Sequence, residues 1–259
     1  MISSFCRFSL AALLALPFTL PAQNLSTDVA PREAASEQAG ADVEEWVKEL
    51  SNLPAEKRAE YTEVFSRAKH AYTVGSYAEC VAFLNTCEFY TRKSPHVWNL
   101  RAGALIAQQR FEEARPLLEN VLKNNPKDEV GCLSLSLLYL GTAEYEKCLE
   151  VTETLLAEIR YKKMEQLTHS LMFRKVLCYM MLGREADARD VVRDIGPIDD
   201  SPLYYYSQAV FFLAKGDTKS AKRDLSAGDM IYASTGHLAG YKQALSFSGV
   251  VEKYAAPGK

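Results

Sequence analysis

The sequence predicts an all-α fold in which antiparallel helix pairs stack side by side as a solenoid. Three aromatic residues, Tyr77, Phe111 and Tyr145, stand 34 residues apart. A fixed period of this length in several registered positions is typical of stacked helical repeats. Small residues recur in the same register. Three positions after the aromatic residues stand Cys80, Ala114 and Cys148, and nine positions before them stand Ala68, Ala102 and Ser136.

Each period contains two stretches whose apolar spacing is helical. In the second period these stretches cover residues 97–108 and 111–124. Pro126 then ends the pattern, and Pro95 ends the first period in the same way, because proline does not continue a helix and disfavours helical geometry in the residue before it. Small residues in register allow two helices to approach closely. Such a hairpin must stack on its neighbours, since it cannot bury its apolar face alone.

At these positions the chain resembles the tetratricopeptide repeat family. The resemblance implies a right-handed α-solenoid, and it is specific for fold while saying little about function. The chain departs from the family at Arg101, where the family has leucine. The second period carries the resemblance most fully, at the family's aromatic, small and proline positions: Trp98, Ala102, Leu105, Phe111, Ala114, Leu118 and Pro126.

The period also predicts the domain organisation. The step between the third and fourth repeats is six residues too long, and we expect the extra residues near 160–166, as a lengthened helix or a looser turn. We expect the C-terminal cap to be a helix over residues 238–247. The predicted solenoid covers residues 42–248, with clear repeats at 61–95, 95–128 and 129–162, degenerate repeats at 169–201 and 202–235, caps at 42–60 and 236–248, and a loose tail at 249–259.

The N-terminal residues have the pattern of an export signal. Arg7 precedes an apolar run over residues 8–20, and Ala22 offers a small residue for cleavage. The run is too short to cross a bilayer as a helix, which takes about 20 residues. We expect residues 1–22 to be a cleaved signal peptide, the alternatives being an uncleaved anchor or a chance apolar start. We expect residues 23–41 to be a disordered linker. The mature protein would then lie in a bacterial periplasm or outside the cell, without a stable membrane span.

Charge and motifs argue against several classes of function. The chain has 30 basic and 33 acidic residues, a net charge of -3, so it lacks the basic excess that a nucleic-acid partner requires. Its four histidines are far apart and stand at no recognisable metal-ligand spacing. No nucleophile elbow, C-x-x-C pair or zinc-protease motif occurs. We therefore expect no nucleic acid, no metal, no cofactor and no enzymatic activity.

Five cysteines follow the signal, an odd number scattered through predicted helices, which is not a disulfide framework. We interpret them as small buried hydrophobes. One bridge is conceivable in an oxidising compartment, and Cys132 with Cys148, on paired helices, is the first candidate. Cys80 and Cys87 lie two turns apart on one helix, about 10 Å, which is too far to bridge.

The resemblance also implies a binding surface, because the first helix of each repeat lines a concave groove in this family. The positions in the last three repeats are apolar, and a large apolar surface is not normally left in water. The family's clamp for a partner's terminal carboxylate is not expected here, since Asn99 and Arg174 are its only loose candidates. The predicted partner-binding positions are Phe65, Lys69, Tyr72, Asn99, Ile106, Leu133, Leu137, Phe173, Leu177, Met180, Tyr206 and Val210.

Three functions are compatible with this pattern. In the first, the groove binds an amphipathic helix or an apolar extended segment of another protein, whose identity the sequence does not give. In the second, the chain is a structural subunit of a cell-envelope assembly, with its groove covered by its own C-terminal helix or by a second copy in a homo-oligomer. An exposed apolar cluster on the second helices would favour that role. The third, a small-ligand or catalytic accessory protein, has the least support because no nucleophile, base or metal set is visible.

Overall fold

The computed structural model describes residues 45–159, 164–199, 201–236 and 238–255. Over these ranges the chain forms thirteen α-helices and no strand. The predicted signal peptide, linker and first residues of the N-terminal cap, together with residues 160–163 and 256–259, lie outside the described residues. None of the helices in the described part of the chain has the length and apolar character needed to span a membrane.

The helices form two units, one containing α1–α5 in residues 45–128 and the other containing α6–α13 in residues 129–255. The helices are α1 Glu45–Asn52, α2 Ala55–Thr73, α3 Tyr77–Cys87, α4 Pro95–Ala107, α5 Phe111–Asn124, α6 Glu129–Gly141, α7 Tyr145–Ile159, α8 Glu165–Met181, α9 Glu185–Val191, α10 Leu203–Ala214, α11 Thr218–Ile231, α12 Leu238–Phe247 and α13 Val250–Ala255.

Ten of the described helices pair into five hairpins: α2–α3, α4–α5, α6–α7, α8–α9 and α10–α11. The second helices α3, α5 and α7 begin at the registered aromatic residues Tyr77, Phe111 and Tyr145. The helix pairing predicted from the 34-residue period is therefore confirmed. The registered small residues are all fully buried, which lets the paired helices approach closely: Ala68, Cys80, Ala102, Ala114, Ser136 and Cys148.

A residue in the left-handed backbone region stands at the same position in each hairpin turn. Its φ lies between 59° and 80° at Gly75, Gln109, Ala143, Gly183 and Gly216. In every turn the amide of the next residue donates to the carbonyl oxygen five residues before it, at 2.8–2.9 Å. This bond satisfies a carbonyl that the end of the first helix would leave unpaired. Only glycine adopts this conformation without steric cost. The two other residues at this position, Gln109 and Ala143, are therefore under backbone strain.

In residues 45–128, helix α1 contacts the residues that precede and begin α4. The Glu49 carboxylate accepts hydrogen bonds at 3.1 Å from the Thr91 hydroxyl and from the Arg92 amide. The Trp46 ring meets His96 edge to face, with the ring centroids 5.3 Å apart. These contacts fix α1 to the segment between α3 and α4 and to the first turn of α4.

In residues 129–255, the C-terminal segment contains two helices after the last hairpin. Helix α12 spans the same residues as the capping helix that the sequence predicts. The predicted loose tail from residue 249 is wrong for residues 250–255, which form α13. Val250 and Val251 are buried in that helix, so apolar burial against α8 and α10 holds it in place.

Candidate interaction surfaces

The first helices of residues 129–255 are covered by the C-terminus of the chain. Helix α12 packs on α6 and α8, and α13 packs on α8 and α10. The predicted groove positions of this unit lie on α6, α8 and α10. Leu133 is half-buried. The other positions are buried, namely Leu137, Phe173, Leu177, Met180, Tyr206 and Val210.

An aromatic cluster joins three of these helices. The Tyr241 ring on α12 lies 5.1 Å from the Phe173 ring on α8 and 5.4 Å from the Tyr206 ring on α10, centroid to centroid. The hydroxyls of Tyr241 and Ser201 are hydrogen-bonded at 3.1 Å. Burial raises the pKa of Tyr241 above its ordinary value, because the charged phenolate would be desolvated. The cluster therefore combines the packing of three aromatic rings with a hydrogen bond that satisfies the Tyr241 hydroxyl.

The carboxylate of Asp229 links α10, α11 and α12. Tyr206 on α10 donates a hydrogen bond of 2.6 Å from its hydroxyl to the carboxylate of Asp229 on α11. Lys242 on α12 forms an ion pair of 2.9 Å with the other oxygen of that carboxylate. Burial, with a smaller effect of the Asp229 contact, raises the pKa of Tyr206. Asp229 thus links the last hairpin to the C-terminal cover.

Helix α13 also supplies hydrogen-bond donors for the last carbonyl groups of α8. The Lys253 ammonium donates to the carbonyl oxygens of Met180 and Met181 at 3.1 and 2.9 Å, and the Tyr254 hydroxyl donates to Met180 at 2.9 Å. The last carbonyls of a helix have no partner within it, and a cation near them is favourable. Together α12 and α13 cover the groove of this unit, which matches the self-covered arrangement of the second hypothesis.

In residues 45–128, the predicted positions on α2 are partly accessible. Phe65, Lys69 and Tyr72 are half-buried. The Lys69 ammonium lies 5.6 Å from the centroid of the Phe65 ring. No carboxylate forms an ion pair with Lys69 in the described part of the chain. The Tyr72 ring meets the Tyr77 ring edge to face, with the ring centroids 5.6 Å apart. Burial raises the pKa of Tyr72.

The two predicted positions on α4 are directed into the protein. Ile106 is buried. The Asn99 amide donates a hydrogen bond of 2.9 Å to the Asp128 carboxylate. Phe65 and Lys69 therefore present neighbouring, partly accessible side chains, and Lys69 carries a charge that a partner could pair.

Arg174 is one of the two candidates for a carboxylate clamp, and it is buried in residues 129–255. Its guanidinium donates to the Leu133 carbonyl oxygen at 2.7 Å and to the Ser136 hydroxyl. Burial lowers the pKa of Arg174 to about 10, since desolvation disfavours the charge. A partner's carboxylate does not reach this buried side chain.

The described cysteines are all buried, as the interpretation of small hydrophobes requires. The structure does not join Cys132 to Cys148, the pair that the sequence ranks first for a bridge. Instead the Cys148 thiol donates a hydrogen bond to the carbonyl oxygen of Ser136 on α6, with the two atoms 3.0 Å apart.

Several apolar side chains are exposed away from the groove positions. Ile198 is 95% exposed, and Met230 and Ile231 at the end of the second helix α11 are 78% and 49% exposed. Phe89, after α3 in the other unit, is 88% exposed. No periodic signal marks these residues in the sequence. Across the described ranges no group of three or more His, Cys, Asp or Glu side chains is placed to hold a metal ion.

Comparison with known proteins agrees with this architecture. No protein-family model and no curated protein matches the chain. Among solved structures it is similar to a tetratricopeptide repeat protein from Parabacteroides merdae, with 17% sequence identity, a TM-score of 0.53 and 71% of each chain covered. It is also similar to MamA AMB-1, with 17% identity, a TM-score of 0.47 and coverage of 67% of this chain and 98% of that one. The likeness to the Parabacteroides protein, with the five hairpins, shows that this chain has a tetratricopeptide-like, all-helical solenoid fold.

Proposed function

We propose that this chain is an exported, non-catalytic module that binds another protein, and that it binds through the α2 face in residues 45–128. The observation that carries the proposal is the unequal covering of the predicted groove positions. Those of residues 129–255 lie beneath α12 and α13, whereas Phe65 and Lys69 on α2 keep accessible surface. A binding module needs such a surface, since buried side chains do not meet a partner.

The α2 face favours a partner segment of mixed chemistry. Phe65 offers the accessible part of an aromatic ring. Lys69 offers an ammonium whose neighbour within the described part of the protein is that ring rather than a carboxylate. A cation over an aromatic ring gains about 0.5–1 kcal/mol at an exposed site, less than a partner's carboxylate can add with a good hydrogen bond. We therefore infer a segment that carries an apolar side chain next to an acidic group.

A second candidate is the structural subunit of an envelope assembly, which would use the outer face of the hairpins. The exposed side chains of Met230 and Ile231 on the second helix α11 favour this role. The first candidate binds through the α2 face and the second through the outer face that includes α11. Substitutions on α2 and on α11 therefore distinguish the two candidates. A catalytic or small-ligand role has no comparable support from the described side chains.

The test is affinity capture of partners from the native envelope fraction with variants of matched charge change. We expect Lys69→Glu to lower the recovery of a specific partner about tenfold, because it places like charges across the contact. Lys123→Glu, an exposed site on α5, makes the same charge change and should leave recovery unchanged. Loss of the partner with Met230→Asp, but not with Lys69→Glu, would assign binding to the outer face. Leu137 and Leu177 are unsuitable, because a buried charge there would unfold the protein.

Export requires its own test, because residues 1–22 carry that part of the proposal. Cell fractionation followed by N-terminal sequencing should find the mature chain outside the cytoplasm and beginning at Gln23. A chain retained in the cytoplasm with Met1 in place would overturn export and leave the proposal for the α2 face standing.

A further inference from the structure

The segment between α9 and α10 presents an aliphatic side chain on a fixed turn. Ile198 is 95% exposed. The Asp199 carboxylate accepts a hydrogen bond of 2.6 Å from the Gly196 amide, and the Asp199 amide donates to the Gly196 carbonyl oxygen at 3.3 Å. The Tyr232 hydroxyl, just after α11, donates to the Asp199 carbonyl oxygen at 3.0 Å. These bonds hold the turn in shape before a partner arrives, which lowers the entropy cost of binding.

Acidic groups flank this side chain. Residues 194–199, which we call the acidic turn, contain two aspartates and no basic residue. Asp194 is exposed, and it forms no ion pair within the described ranges. The neighbouring cation, Arg193, is paired with Asp190. The acidic turn therefore offers an apolar side chain next to carboxylates that no cation neutralises.

The α2 face requires this combination of a partner. The second half of α2, residues 64–73, contains Arg67 and Lys69 and no acidic residue. The Lys69 ammonium lies 5.6 Å from the centroid of the Phe65 ring, which is partly accessible. An aliphatic side chain against Phe65 and a carboxylate at Lys69 would satisfy both groups. The opposite charges of the two surfaces would also steer their encounter.

We propose that the α2 face of one copy of this chain binds the acidic turn of a second copy, with Ile198 against Phe65 and Asp194 beside Lys69. The proposal rests on the binding role proposed for the α2 face, and it names a second copy as the partner. The two surfaces differ, so the contact is head-to-tail. One helix face and one turn bury less area than a stable dimer requires, so the association is weak and depends on concentration.

Sedimentation velocity tests the proposal on the expected mature chain, which begins at Gln23. The sedimentation coefficient should rise as the protein concentration increases from about 1 to about 300 μM. The rise should be smaller in about 0.5 M salt, because salt screens the charge pair. A single monomeric species at every concentration would overturn the proposal. In that case a loss of some other partner with Lys69→Glu in affinity capture would still support the proposed function.

Charge-reversal variants identify the two surfaces. Lys69→Glu and Asp194→Lys should each weaken self-association about tenfold, because each places like charges across the contact. An equimolar mixture of the two should recover association, since each variant keeps the surface that the other lacks. Lys123→Glu on α5 and Glu150→Lys on α7 make the same charge changes at exposed sites and should leave self-association unchanged. A mixture that associates no better than its two components would contradict the head-to-tail contact.

Ile198→Ser tests the apolar part of the contact. Because the side chain is 95% exposed, the substitution should leave the midpoint of thermal unfolding unchanged. It should weaken self-association about tenfold, since it removes apolar surface that the contact buries. Self-association that is unchanged in Ile198→Ser or in Lys69→Glu would show that the copies meet through other surfaces, and the proposal would be wrong.

Discussion

The Tyr241 ring on α12 lies 5.1 Å from the Phe173 ring on α8, centroid to centroid, and both side chains are buried. Phe173 is a position that the sequence predicts in the partner-binding groove, without deciding whether the groove is open or covered. The contact shows that the chain's own C-terminal helix occupies this surface. The apolar character of the groove in residues 129–255 is thus explained by intramolecular packing.

The first prediction concerns the ring of Tyr241. Tyr241→Ala should destabilise the fold by about 3–5 kcal/mol, because it leaves a cavity against Phe173 and Tyr206. Tyr241→Phe keeps the ring and loses the hydrogen bond with Ser201, so it should cost only about 0.5–1.5 kcal/mol. Urea unfolding of the two variants measures the difference. Equal losses would show that the hydroxyl, rather than ring packing, holds α12.

The second prediction concerns the hairpin turns. Ala143 and Gly183 occupy the same turn position with φ of 59° and 74°. Gly183→Ala should cost about 1 kcal/mol, and this cost is due to the backbone alone because a Cβ there meets nothing within 4 Å. Ala143→Gly should stabilise by about 0.5–1 kcal/mol, after the extra entropy of glycine in the unfolded chain is counted.

Chemical denaturation of both variants checks these values. Ala78→Gly, at an exposed position inside α3, is the control and should destabilise by about 1 kcal/mol, as glycine does in a helix. If Ala143→Gly lowers the free energy of unfolding as much as Ala78→Gly does, then the left-handed conformation of Ala143 does not cost stability.

The third prediction concerns the close approach of Tyr72 to Gly103. A Cβ at Gly103 would lie 3.0 Å from the Tyr72 hydroxyl oxygen and 3.2 Å from a ring carbon. Gly103→Ala gains about 1 kcal/mol of helix propensity and loses about 1–3 kcal/mol to crowding, so the net change should be neutral or destabilising.

The background without the ring separates these two effects. In a Tyr72→Ala protein, Gly103→Ala should stabilise by about 1 kcal/mol, since the helix gain remains and the crowding does not. A double-mutant cycle by urea unfolding measures the coupling. Identical effects of Gly103→Ala in both backgrounds would rule out the close contact.

The fourth prediction concerns alkaline stability. Burial raises the pKa of Cys80 to about 12 from its ordinary value of 9.0. Between these values the unfolded chain releases the thiol proton and the folded chain keeps it, so stability that is complete below pH 9 is lost as the pH rises. Each pH unit in this window should lower the free energy of unfolding by about 1.4 kcal/mol through this thiol.

The matched variant is Cys80→Ala, since Ala114 stands at the same repeat position and is equally buried. Unfolding free energies measured from about pH 8 to about pH 11 should fall less steeply for the variant, by about 1.4 kcal/mol per unit. Parallel pH curves for the two proteins would show that the thiol titrates normally in the folded state.

The sequence predicts the hairpins well because their signals are local. Aromatic residues begin the second helices, and small residues allow the helix contacts, so the helix over residues 111–124 is found with its observed bounds. The residue type at each position is sufficient for these inferences, since the contacts repeat at a fixed spacing.

The remaining features depend on contacts that no spacing encodes. Helix α13 is only 6 residues long, too short for a period, and its burial of Val250 depends on the surface of α8 and α10. The hydrogen bonds from Arg174 on α8 to Leu133 and Ser136 on α6 cross the irregular step, where the register of the repeat is lost. For the same reason the sequence gives the groove positions and leaves open what covers them.

Hydrogen exchange of the full chain tests the central claim most directly, namely that α12 fills the groove of residues 129–255. Amides of α12 should exchange as slowly as those of α8, and a chain ending at Gly236 should show faster exchange in α8 and new binding of a hydrophobic dye. Rapid exchange of α12 in the full chain, with α8 unchanged by the truncation, would contradict the account.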